Sequence, residues 1–492
     1  MIQILERATK FKDRTALVSN KTFYSYKQLL DASQNVVANL LNGKPDFNEA
    51  RITFLTPPSF EYTAVQWGIW AAGGIAVPLC TLHPLPSIQY VLEDTEADIV
   101  IAHKDYIEFL KPLELSIGIS VVPLELILQE NNCELPDVDS TRRAMILYTS
   151  GTTSKPKGVV TTHDNIEAQI TALVTAWEWE KDDYILNILP LHHVHGIINV
   201  MSCALWNGAC CEFLPKFDAK KVWEILASER LTLFMAVPTI YYKLISYWEE
   251  CPSQEQNKLS EAASKLRLMV SGSAALPVPV LEKWRRITGQ TLLERYGMTE
   301  IGMGLSNSYR GERRPGHVGL PLPGVQMRLV DVNNNSVREN EPGEFQIKGP
   351  SVFKEYWQKP EATQKVFTEG GWFITGDIGM LNDGVYKILG RESVDIIKSG
   401  GYKISALEIE DVLRKHEFVD DCAVVGLPDE EWGEVVSACI VSTEAELDTS
   451  SVSDWLKEQL PAYKIPRNYI LRQELPRNVL GKVTKNELKK MF

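Results

Sequence analysis

Short apolar runs separated by longer stretches of mixed polarity set the rhythm of the first 140 positions. Arg51-Ile-Thr-Phe-Leu55, Ile75-Ala-Val77 and Ala97-Asp-Ile-Val-Ile-Ala102 read as strands, while Glu61–Ala72 and Ile88–Glu93 carry apolar residues at helical spacing. Repeated strand–helix units predict parallel sheets covered by helices. The pattern continues with a buried strand ending at Leu147, a β-like run Val159-Val-Thr161, and a helix that Asp164 can cap and that runs to about Trp177. Further strands are expected over Tyr184–Leu189, Leu231–Val237 and Leu266–Val270.

Past position 390 the pattern changes. A glycine-centred turn, Ser399-Gly400-Gly401-Tyr402, precedes Ser405-Ala-Leu-Glu408, a capping box opening a helix to about Lys415. Cys422–Gly426 and Val435–Val441 are β-like. The expected architecture is a large N-terminal α/β domain over 1–390 and a smaller α+β domain over 391–492.

At 492 residues the chain has room for two or three cores, and 44% hydrophobic with 23% charged residues is globular composition. A net charge of −13 argues against a nucleic-acid or anionic-membrane surface. The eight cysteines form no C-x-x-C pair and read as reduced thiols of a cytoplasmic-type compartment. The N-terminus has an early acid and no apolar signal core. The most apolar stretch, Ala64–Cys80, is broken by Gln66, Gly73-Gly74 and Pro78, so no membrane span is expected. Nothing in the sequence speaks to oligomeric state.

Candidate chemistry sits at strand ends. Tyr148-Thr149-Ser150-Gly151-Thr152-Thr153-Ser154-Lys155-Pro156-Lys157-Gly158 offers hydroxyls, glycine-freed backbone N–H groups and two ammonium charges, which suit a polyphosphate, although the spacing is not that of a Walker loop. Read alone, it fits a polar hairpin equally well. Ser271-Gly272-Ser273-Ala274 closes a strand with small side chains that let a flat ligand approach the backbone. Glu294-Arg295-Tyr296-Gly297-Met298-Thr299-Glu300 combines an aromatic for a base, a hydroxyl and a carboxylate for Mg²⁺. Thr375-Gly376-Asp377 supplies a carboxylate for ribose hydroxyls. Three histidines, 192, 193 and 195, lack partners at ligand spacing, and neighbours on an extended chain point opposite ways, so a metal site is the lesser reading. Lys482, in a Gly481 turn, would ordinarily be just solvated.

The series resembles the motifs of the adenylate-forming enzymes: acyl-CoA synthetases, peptide-synthetase adenylation domains and luciferases. Six motifs stand in family order from Thr149 to Lys482, about two thirds of the chain. The resemblance implies that the C-terminal domain is mobile, pivoting after Arg391, and that the enzyme uses ATP, Mg²⁺ and coenzyme A on a small carboxylate. It implies phosphate contacts from Thr149, Ser150, Gly151, Thr152, Thr153 and Lys157. Ser271, Gly272, Ser273, Ala274, Glu294, Tyr296, Gly297 and Met298 would border the nucleotide, Asp377 and Arg391 its ribose. Thr299 and Glu300 would serve catalysis, Glu300 on the metal. His193 would lie beside the acyl pocket, Lys482 on the α-phosphate, and Gly400-Gly401 on the pantetheine path of the second step. The chain departs from the family at Ser393, where an Asp or Lys commonly marks the hinge.

Arg295 bears on the acyl substrate. Many members of the family have an uncharged residue there, and a guanidinium beside the pocket asks for a second negative charge on the substrate. Its structural alternative is a salt bridge to Glu294 or Glu300. The combination looks most like the malonyl-CoA synthetases, with malonate or methylmalonate as substrate. Another small acid, a carrier-protein-loading adenylation enzyme, a luciferase-like oxygenase and a non-catalytic nucleotide-binding relative are the competing readings.

Overall fold

The structure is a computed structural model that describes residues 2–149, 155–400, 402–442, 444, 447–478 and 481–492. Two large sheets carry the first 360 or so residues. In the first, the strands run in the order Leu320–Pro321, Gly302–Ser306, Leu293–Met298, Leu268–Ser271, Leu233–Ala236, Tyr184–Asn187, Cys210–Phe213, Thr15–Ser19 and Thr22–Ser25. Its centre is parallel, and antiparallel partners close both edges. The second runs Glu355–Tyr356, Lys157–Thr162, Arg143–Thr149, Ile75–Pro78, Arg51–Leu55, Ile99–Ala102, Ser120–Pro123, again parallel away from its first three strands. The uninterrupted apolar runs fit this arrangement, because parallel strands are buried on both faces.

One core joins the two sheets. Leu17, Ile185 and Leu233 of the first share it with Ile52, Phe54 and Met145 of the second, and Trp67, Trp70 and Trp177 fill the space between. A four-stranded antiparallel sheet, Gln326–Val330, Gly343–Lys348, Phe373–Asn382 and Val385–Arg391, follows. Beyond it, Ile396–Ser399, Tyr402–Ser405, Val419–Asp429, Gly433–Ser442 and Asn468–Arg472 form the last sheet, with its own core around Ile397, Ile404, Ile409, Val424 and Ile440.

Three sequence expectations change in detail. The helix His163–Ala176 is capped by Thr162, whose hydroxyl accepts from Asn165 N while Asn165 returns the bond; Asp164 lies in the first turn, where its charge faces the helix dipole. Ser405 does cap Ala406–Leu413, accepting from Glu408 N, but the Glu408 carboxylate is taken by Lys464 Nζ at 2.6 Å. The histidine segment is not extended. It turns and enters a π-helix over His195–Ser202, which brings the His192 and His193 rings to 4.2 Å rather than to opposite faces. No group of three or more metal-ligating side chains assembles among the described residues.

Candidate active site

The two strands around the hydroxyl-rich stretch pair antiparallel, Tyr148 opposite Gly158 and Thr149 opposite Lys157. Ser150, Gly151, Thr152 and Thr153 lie outside the described residues. The base of the hairpin is held by Asp94, whose carboxylate accepts from the Tyr148 hydroxyl at 2.6 Å and from Lys359 Nζ at 2.7 Å. Lys157 Nζ stands 4.8 Å from the centre of the Tyr356 ring, and the Tyr356 hydroxyl donates to Glu300 Oε1 at 2.9 Å. The hairpin and the Thr299-Glu300 motif therefore meet although 143 positions separate Lys157 from Glu300 (300 − 157). Burial raises the Glu300 pKa, with the Tyr356 hydrogen bond and Arg391 opposing it. A buried carboxyl of that kind gains a counter-charge when a cation arrives, and Mg²⁺ needs few protein ligands, so Glu300 fits that ion.

The strand Leu293–Met298 alternates its side chains between two environments. Tyr296 donates from its hydroxyl to Asp377 Oδ2 at 2.6 Å, and Asp377 Oδ1 accepts from Arg391 Nη1 at 3.0 Å. Ser273, Glu294, Tyr296, Asp377, Arg391 and Lys482 line a cavity of about 270 Å³. The Glu294 carboxyl is 7% exposed and accepts from Gly316 N at 2.9 Å; burial lifts its pKa to about 8. Ser271 and Ala274 border the same cavity, Ser271 with a buried hydroxyl that has no hydrogen-bond partner among the described residues.

Arg295, at 5% exposure, faces the other way. It makes neither of the salt bridges open to it in sequence. Glu294 is adjacent on the strand and points oppositely, and Glu300 lies beyond the strand's end with Tyr356. The guanidinium instead donates from Nη2 to Ser273 Oγ at 3.2 Å, its Nε is buried without a partner among the described residues, and burial lowers its pKa to about 9. Gly272 makes room for it: a Cβ there would fall 2.5 Å from Arg295 Cζ and Nε. The small residue that promised space for a flat ligand thus admits the arginine. Ser273 holds a left-handed φ of 68° and also meets His195 Nδ1 at 3.1 Å.

A second cavity, of about 430 Å³, is lined by His193, His195, Thr239, Lys243, Thr299 and Arg295 among others. It shares Ser273, Ala274, Arg295, Gly297, Met298 and Lys482 with the first, so the two join at Lys482. Burial and the nearby Lys482 charge hold the His193 pKa down at about 4. Desolvation at the cavity junction, Arg295 and Arg391 lower that of Lys482, with Asp377 opposing, although much of the residue is open to solvent. Gly400 lines neither cavity; its φ is 55° and it packs against Trp432, whose ring a Cβ would approach to 2.8 Å. Gly401 lies outside the described residues. Thr239 and Lys243 were not singled out in sequence, and His195 was weighed there only as a metal ligand, although Val237-Pro238-Thr239 closes a predicted strand as the other site segments do.

Comparison with known proteins follows from this geometry. Residues 4–357 match the model of the AMP-binding enzyme family, and residues 408–482 that of the AMP-binding enzyme C-terminal domain. The chain is 45% identical to the protein named malonate–CoA ligase ACSF3, mitochondrial, of Xenopus laevis, over 99% of this chain and 91% of that protein. ATP-bound MatB from Rhodopseudomonas palustris superposes with a TM-score of 0.91 at 32% identity, covering 100% of this chain and 98% of the other. A malonyl-CoA ligase ternary product complex with methylmalonyl-CoA and AMP bound gives 0.71, also at 32% identity, over 97% and 100% of the two chains.

Proposed function

We propose that this chain, which belongs to the AMP-binding enzyme family, is an ATP-dependent acid–CoA ligase that converts malonate or methylmalonate to the CoA thioester. The observation that carries the substrate reading is Arg295: a buried guanidinium on a cavity wall whose Nε has no partner among the described residues. A buried cation in that position is satisfied when the substrate brings a second carboxylate. The names of the relatives support the same class.

The reaction runs in two displacements. A carboxylate is a poor acyl donor, since its leaving group would be oxide. Its oxygen therefore attacks the α-phosphorus of ATP, the new P–O bond forms, the α–β bridge breaks and pyrophosphate leaves. Thr149 to Lys157 would hold the phosphates, Asp377 and Arg391 the ribose, and Tyr296 with Ser271 to Ala274 the base. Lys482, at the junction of the cavities, would meet the charge that develops on the α-phosphate. Glu300, with Thr299 beside it, would hold Mg²⁺, which neutralises phosphate charge when bound. His193 and Arg295 would border the acyl group. In the second displacement the CoA thiolate attacks the acyl carbon, a C–S bond forms, the acyl–phosphate C–O bond breaks and AMP leaves. Gly400-Gly401 would border the incoming pantetheine once the small domain has turned.

The domain boundary is read at 390/391. Support comes from the interval between the two family matches, which runs from 357 to 408, and from Gly390, whose φ of 133° only glycine adopts readily. All eight cysteines are free thiols, which supports a reducing compartment such as the cytoplasm. Among the described residues no helix is long and apolar enough to cross a membrane.

Pyrophosphate release with CoA over malonate, methylmalonate, acetate, propionate and butyrate tests the reading. The dicarboxylates should exceed the others widely in kcat/KM. Comparable turnover of acetate or butyrate would remove the dicarboxylate assignment and leave a ligase for another acid.

A further inference from the structure

Lys482 stands where other cations also converge. Its ammonium shares the junction of the cavities with Arg295, and Arg391 lines the nucleotide side. Both arginines oppose its charge. Lys482 is exposed, so solvent screens this repulsion, and the segment that carries it is tied down beside the arginines.

The turn itself is braced within the small domain. Arg477 Nη1 donates to Gly481 O at 2.6 Å and its Nη2 pairs with Asp421 at 2.5 Å. Three residues after Lys482, Lys485 is 7% exposed and binds Asp395 Oδ1 at 2.6 Å and Glu410 Oε1 at 2.7 Å. Burial alone would lower its pKa, yet the two carboxylates hold it above the usual lysine range. Asp395 uses its other oxygen on the opposite side: Oδ2 accepts from Arg391 N at 3.0 Å, and Asp395 N donates to Arg391 O at 2.7 Å. Arg391 is in turn tied by its side chain to Asp377. One carboxylate therefore links the segment that carries Lys482 to Arg391, the first residue past the domain boundary, whose side chain holds Asp377 of the large domain. The Ser405 hydroxyl on Leu389 O is a second, uncharged bond across the same turn.

We propose that Asp395 is a positioning residue, a latch that holds the small domain where Lys482 can reach the nucleotide, with Lys485 as its anchor. This rests on the ligase reading above. While ATP is bound, its phosphates offset the crowded cations. Once pyrophosphate leaves, that offset is lost, and the Asp395 link is left to hold the segment. Releasing that link frees the cavity that Lys482 and Gly481 line, which the CoA thiolate must enter to reach the acyl carbon.

Asp395→Asn weakens both arms of the latch. Asp395→Glu keeps the charge for Lys485 but moves the carboxylate off Arg391 N, so it tests the latch with the buried lysine still paired. Each half-reaction is followed alone: pyrophosphate release from ATP and malonate without CoA, and thioester formation from synthetic malonyl-adenylate with CoA. Both variants should slow the first by about 10- to 100-fold, the loss of one charge-assisted hydrogen bond. The second should be unchanged or faster. Equal loss in both half-reactions, in either variant, or no loss in the first, overturns the latch. Wild-type activity in both half-reactions is the control that separates this outcome from failure of the ligase reading.

Discussion

Arg295→Leu removes a cation that has no carboxylate partner among the described residues. Among the described residues the wild-type guanidinium hydrogen-bonds Ser273 Oγ and keeps a buried Nε without a partner. A substrate carboxylate could take Nε and a terminal nitrogen together. Hydrogen bonds to charged groups contribute about 1.5–3 kcal/mol each, so losing such a pair should cost roughly 3–4 kcal/mol, or about 10²–10³ in kcat/KM for malonate. Acetate, propionate and butyrate have no second carboxylate, and for them leucine replaces an unsatisfied charge by an apolar wall. Their turnover should hold or rise. Stability should move with them: exchanging an unpaired buried cation for an apolar side chain of less volume should stabilise the free enzyme by of the order of 1–3 kcal/mol. The measurements are steady-state kinetics on the acid panel and thermal unfolding without ligand. A uniform fall across all acids, together with a lower melting temperature, would refute the reasoning and make Arg295 a packing residue.

Lys482→Ala should slow acyl-adenylate formation by roughly 10²–10³-fold, the usual loss for one charge-stabilising donor, and leave thioester formation from supplied adenylate near wild type; equal loss in both steps would exclude a role confined to adenylation. Glu294 gives a pH signature: burial lifts its carboxyl from 4.5 to about 8, so between those values the unfolded chain releases a proton that the folded chain keeps, and wild-type stability falls as pH rises. Glu294→Gln keeps an acceptor for Gly316 N and removes the titration, so its stability advantage should widen by up to about 1.4 kcal/mol per pH unit from pH 5 to pH 8 in paired thermal melts; an advantage that stayed constant over that range would contradict the assignment.

How far the sequence reaches differs between fold and site. The buried parallel strands were legible because their apolar runs need no partner to be recognised. The antiparallel edges, such as Glu355–Tyr356 on Lys157–Thr162, were not, since a two-residue strand has no periodicity to read. Asp164 and Thr162 are both good caps, and the reciprocal Asn165 bond that selects Thr162 is visible only in the folded helix. The histidine segment was misread as extended because its residues follow a strand and a proline; the turn into the π-helix is imposed by packing, with residues 195–202 all buried.

The site letters were legible one motif at a time, but their convergence was not. His195, Ser273 and Arg295 belong to three segments, and sequence spacing says nothing of which side chains meet. Gly272 was the nearest thing to a signal, and it pointed to a ligand where the structure puts a guanidinium. Convergence also decides the chemistry. Of the cations around the joined cavities, Arg391 has Asp377, whereas among the described residues Arg295, Lys482 and Lys243 are in no salt bridge, and Lys243 is exposed and answered by solvent. Glu294, with its pKa near 8, stays largely protonated at neutral pH and offsets none of them. The α-phosphate of ATP answers Lys482. A monocarboxylate consumes its one charge in forming the anhydride and leaves Arg295 unanswered, while a dicarboxylate keeps a second anion for it. The buried charge of Arg295 thus defines the valence of the acid that the site accepts.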